Sequence, residues 1–130
     1  MHRLKLILKY VLAIFFILAG QNHFLHTDFY VRIMPPYLPW HRFLVHVSGL
    51  CEIVLGIGMA VPRITRWAAW GLVALLVAVF PANIHMALHP DLFPEFNPAM
   101  LWLRLPLQMV LIALPYWYTR QDATSTLDRL

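Results

Sequence analysis

The sequence holds a single cysteine, Cys51, and little charge: Asp, Glu, Lys and Arg make up 12% of its 130 residues. One cysteine excludes an internal disulfide, and the lack of a CxxC pair excludes thiol–disulfide exchange within the chain. A soluble domain carries roughly 25% charged residues, so a soluble globular reading is disfavoured from the start. The net charge of +4 does not point to nucleic acid, because the basic residues gather at the ends of apolar runs. That placement is what membrane topology uses. No HExxH-type spacing is present, so no metal site is expected, although His85 and His89 stand four apart and His23 and His26 three apart.

What the chain has in abundance is apolar sequence: 61% of residues are hydrophobic and the mean hydropathy is +0.66. The apolar residues fall into four long runs, which predict spanning helices over about 4–24, 41–61, 67–88 and 99–118. The expected fold class is all-α, an integral membrane four-helix bundle in a single domain over 1–118, with a polar tail over 119–130. The first run mimics a signal peptide, with His2, Arg3, Lys5 and Lys9 ahead of it and Leu18-Ala19-Gly20 near its end. The apolar character continues to Phe24, so an uncleaved first helix is expected.

The connections alternate in character. Residues 25–42 contain Pro35, Pro36 and Pro39, which forbid a regular helix through their second half, and a short interfacial helix fits 27–34. Residues 62–66, PRITR, form a tight basic turn, and residues 89–98 hold three prolines and two acids. Arg3, Lys5, Lys9, Arg63, Arg66, Arg120 and Arg129 lie on one side, against Arg32 and Arg42, with Arg104 just inside the fourth helix. The positive-inside rule then places both termini in the cytoplasm and both proline-rich connections outside. Each half reads as a helical hairpin with an Asn/His cluster ending its first helix; an internal repeat is one account, and the common look of short outer loops is another.

Glu52 is the residue the other helices must answer to. It sits inside the run 43–61, FLVHVSGLCEIVLGIGMAV. A carboxylate near the bilayer centre costs roughly 2.5–3.5 kcal/mol even on the lenient insertion scale. Gln21, Asn22, His23, His46, Ser48, Asn83, His85, Arg104 and Gln108 all fall in the outer half of the expected bilayer. The economical account is one polar chamber, with Glu52 at its floor and Trp102 and Phe80 as apolar walls. Arg104 is the expected charge partner of Glu52, directly or through Gln108 or water, across an axial offset of roughly 9 Å. The bland alternative has Arg104 snorkelling to the headgroups and Glu52 simply protonated. Gly49, Glu52 and Gly56 share a face on which a neighbouring backbone can approach. Pro81 and Pro106 free the carbonyls of Val77 and Trp102, which can face the chamber; a tolerated kink is the other account. Cys51 reads as a packing residue.

The segments AGQNHF (19–24), SGLCEIVLGIG (48–58), VFPANIHMAL (79–88) and LRLPLQ (103–108) together resemble the DoxX-like family of small four-helix membrane proteins. The resemblance implies a multi-pass protein of the bacterial inner membrane, and some relatives are subunits of a quinone-linked oxidoreductase. The leading expectation is therefore a quinone-associated redox subunit with no intrinsic cofactor. Glu52, His23 and His85 are its candidate catalytic groups, and Asn22, Gln21, His46, Asn83, Arg104 and Gln108 its candidate substrate-binding groups. The expected partners are the lipid bilayer, a quinone or other amphiphilic ligand, and a redox protein that supplies electrons. The alternatives are a non-catalytic membrane scaffold or assembly factor and, behind it, a small-solute transporter, for which four helices leave little room to alternate access.

Overall fold

The structure, a computed structural model, describes residues 2–120. Residues 121–130, most of the tail and Arg129 with it, lie outside the described residues. Five α-helices follow one another: α1 (His2–Leu25), α2 (Thr27–Ile33), α3 (His41–Ala60), α4 (Thr65–Leu88) and α5 (Pro98–Trp117). A 3-10 turn, Pro90–Leu92, interrupts the last connection. The described residues contain no strand. Four of the helices, α1, α3, α4 and α5, are long and apolar enough to cross a membrane. In lipid the backbone must satisfy its own hydrogen bonds, which is why such runs become helices despite Pro81, Pro106 and Pro115 within them. The start of α5 has Pro98 in its first turn, and the Asn97 side chain accepts from the Ala99 amide at 2.9 Å.

Helix α1 packs along α3, α3 against α4, and α4 against α5. The first contact depends on the small-residue face read from the sequence, and α1 is the backbone that approaches it. A Cβ added to Gly20 would lie 2.6 Å from the Gly49 carbonyl oxygen, and one added to Gly49 would lie 2.7 Å from His23 Cβ. At the other end, the turn 61–64 brings α3 and α4 together below a core of Leu12, Phe16, Met59, Leu72 and Leu76.

Lys9 departs from its expected place at a wet helix end. It is only 1% exposed, and its ammonium stands 5.1 Å over the Tyr10 ring. Lys9, Leu12, Ala13 and Phe16 share the inward stripe of α1, so the stem is drawn in with its neighbours.

Helix α2 and the segment behind it cover the opposite end. Ile33 packs with Met86, Phe93 and Leu101, drawing α2 onto α4 and the 89–97 connection. Phe29 meets Phe96. Arg32 forms an ion pair with Glu95 while lying over Phe93, and Arg42 pairs with Asp28 at 2.9 Å. These two ion pairs are exposed.

Candidate functional site

A cavity of about 520 Å³ lies beneath α2 and is lined from all five helices. Its walls are largely apolar, from Phe15 and Phe16 on α1 through Val45 on α3 and Leu75 and Val79 on α4 to Leu111 on α5. Ile33, Met34, Pro35 and Leu38 close it at the α2 end. His23, Tyr30, Ser48, Glu52, Asn83, Arg104 and Gln108 supply its polar groups.

Glu52 is buried, 8% exposed, on the face of α3 turned toward α1. Its partner is His23, whose Nδ1 stands 3.4 Å from Oε2. The same Nδ1 is 3.0 Å from the Ala19 carbonyl oxygen, which can only accept, so Nδ1 carries the proton. In the neutral ring Nε2 is then left as an acceptor. The imidazole is held from above by Tyr30, whose ring stacks on it with centroids 4.1 Å apart. The Tyr30 hydroxyl accepts from Asn22 Nδ2 at 2.7 Å. Burial pushes the Tyr30 phenol above its ordinary pKa; the Asn22 hydrogen bond and the Arg104 charge pull the other way, and the Glu52 charge adds to the rise.

The α4–α5 side is built from a chain of amides. Gln108 Nε2 donates to the Leu76 carbonyl at 3.0 Å. Gln108 Oε1 then accepts from Asn83 Nδ2 at 3.1 Å, and Asn83 Oδ1 accepts from Arg104 Nε at 3.0 Å. Each bond fixes which way the next amide points. The Leu76 carbonyl cannot donate, so it orients Gln108, which orients Asn83, which offers only an oxygen to Arg104.

Several sequence expectations are corrected here. Arg104 is not the ion-pair partner of Glu52: it bonds Asn83, while His23 takes the carboxylate. The two acid–base groups of the cavity come from α1 and α3, whose glycine contact brings them within reach; Arg104 is held back by the Asn83 amide. His85 does not line the cavity. Its ring is tilted against that of His89, with centroids 4.5 Å apart, and meets Phe93 edge-on. Residues two apart on a helix point about 200° apart, so Asn83 facing in turns His85 away. The same rule sorts 21–23: His23 faces in, Gln21 is exposed, and Asn22 reaches the site only through Tyr30. His46 lies outside the cavity, stacked on Phe24 at 5.2 Å. Trp102 is 52% exposed and, like Phe80, forms no wall. The carbonyl that takes a side-chain bond is that of Leu76, one residue before the one Pro81 frees. No three potential metal ligands converge among the described residues.

Tyr30 lines the cavity and is not among the site residues expected from the sequence. The signal was its place in TDFYVRI, where Tyr30 and Ile33 recur at helical spacing and mark an inward stripe.

The family described as Domain of unknown function (DUF8561) matches residues 12–119. No curated protein and no solved structure matches the chain.

Proposed function

Because the chain belongs to this family of unassigned activity, we propose from the site itself a membrane protein that binds a ring-bearing amphiphile and serves as a quinone-associated redox subunit. The carrying observation is the apolar cavity of about 520 Å³ with the Glu52–His23 pair buried against it. Ligand sites span roughly 300–1,000 Å³ and combine apolar walls with a few placed polar groups. A quinone ring and the start of its tail fit that description. Reduction of a quinone to quinol takes two electrons and two protons. Glu52 gives one proton to the quinone, is reprotonated from water through His23 and gives the second, so that each ring oxygen receives one, while the redox partner supplies the two electrons. The DoxX-like resemblance supports the same reading. It also supports a four-helix bundle in a bacterial inner membrane with both termini cytoplasmic, so cysteines placed in 25–42 and 89–98 should react with an impermeant reagent from outside the cell. Labelling only from the cytoplasm would reverse that topology.

The amide chain favours a second reading, a scaffold whose buried polar groups fix helix register. Titration of the protein in lipid nanodiscs with a short-chain quinone separates the two. Saturable binding that slows alkylation of Cys51, which lines the cavity, and that weakens in Glu52→Gln supports the redox reading. Absence of saturable binding, with a partner protein still co-purifying, supports the scaffold.

A further inference from the structure

The polar groups of the cavity do not balance. Asn83 and Gln108, which looked like ligand contacts, have both of their oxygens committed to one another and to Arg104. Ser48 turns its hydroxyl to the Val45 carbonyl at 3.3 Å. Arg104 is gripped through Nε alone, and neither Nη group has an acceptor among the described residues. Tyr30 accepts at its oxygen from Asn22, so its own O–H proton is also without an acceptor among the described residues. Against these donors the cavity offers one carboxylate, and Glu52 faces His23.

Arg104 is half-buried in the cavity lining, and a guanidinium beside apolar walls is better placed where an anion answers it. No described acid pairs with Arg104. The amide chain behind it fixes the side chain by its inner nitrogen, which leaves the outer fork for planar, two-pronged contact with oxygen. That geometry sets the fork in the cavity lining, where an anionic oxygen can meet it.

We propose that the cavity holds its occupant by an anionic oxygen, taken by the Nη fork of Arg104 with the Tyr30 hydroxyl as a second donor. The ligand class is an apolar amphiphile with a negatively charged oxygen head: an ionised ring hydroxyl, a carboxylate or a phosphate. This rests on the cavity being a ligand site, and goes beyond the quinone reading, since a neutral quinone has no use for the charge.

The test compares matched probes on the full chain in zwitterionic nanodiscs. One is an alkylated hydroxynaphthoquinone, ionised at neutral pH; the other is its methyl ether, which cannot ionise. The anion should bind about tenfold or more tightly than the ether, the usual gain of a charge-assisted hydrogen bond. Arg104→Met should erase that preference and Arg104→Lys should keep part of it. Tyr30→Phe, outside the four long helices, should narrow it while leaving the melting temperature near that of the wild type. Equal binding of anion and ether, or a preference that survives Arg104→Met, overturns the proposal. An alkyl carboxylate and an alkyl phosphate of matched chain length, used as competitors, separate the sources of the charge. If the ether and a neutral quinone bind as well as the anion, the quinone reading stands and this inference falls. If only the alkyl anions bind, and do so through Arg104, this inference stands and the quinone reading falls.

Discussion

Between α1 and α3 the backbones nearly touch, because Gly20 and Gly49 put no side chain between them. Between α4 and α5 the contact is made by side chains that reach across: Gln108 to Leu76, Asn83 to Gln108, Arg104 to Asn83. The two seams answer the same problem, since lipid tails offer helices no hydrophobic reason to associate. The first relies on dispersion over a close approach. The second relies on amides that have no better partner in hydrocarbon. The difference lies in what each seam delivers to the cavity. Close approach brings His23 up to Glu52 as a by-product of packing. The amide chain holds one arginine in one orientation and tolerates less sliding, because a shift along the axis would break several bonds at once.

The largest effect should come from closing the first seam. Gly20→Leu or Gly49→Leu has no room and should lower stability by about 3 kcal/mol, read as a fall in the melting temperature of the purified protein. Retention of wild-type stability would mean the two backbones are not in contact. The second seam should break by steps. Gln108→Leu leaves the Asn83 amide without its acceptor and should cost about 2 kcal/mol. Asn83→Leu/Gln108→Leu together should cost less than the two single losses added, since neither partner is then stranded. Simple addition would argue against the chain.

A third prediction separates the seams from each other. Glu52→Gln and Arg104→Leu remove groups that do not bond one another, so their effects should add to within about 0.5 kcal/mol. His23→Ala and Glu52→Gln should not add. The smallest effect belongs to the exposed straps. Arg32→Ala or Glu95→Ala should change stability by less than about 1 kcal/mol, and less again in high salt.

The four long helices were legible because length and apolarity are enough to define them, and their ends moved by at most a few residues. The Glu52 face was legible too, since Gly49 and Gly56 flank it at helical spacing. What could not be read was azimuth. Asn83 and His85 carry equal weight in a count of polar residues by depth, yet 200° of rotation separates them. Depth alone likewise suggested Arg104 for Glu52, because an opposite charge is the strongest partner available by type. The structure prefers the imidazole that packing had already brought near, and the arginine answers to Asn83. Tyr30 was hidden by its place in the connection that α2 occupies, where an aromatic ring suits the headgroups as well as it suits a pocket.

Phe15, Val47 and Ala78 line the cavity and are also exposed on the flanks of the helices, Phe15 by 44% and Val47 by 39%. On the proposed reading, a ligand enters sideways, without lifting α2 or parting the ion pairs above it. Its effective concentration is then its mole fraction in the bilayer, not its molarity in water. Apparent affinities measured against aqueous ligand will follow the partition coefficient as the tail lengthens. At a fixed total of ligand, adding lipid should weaken apparent binding by dilution within the membrane.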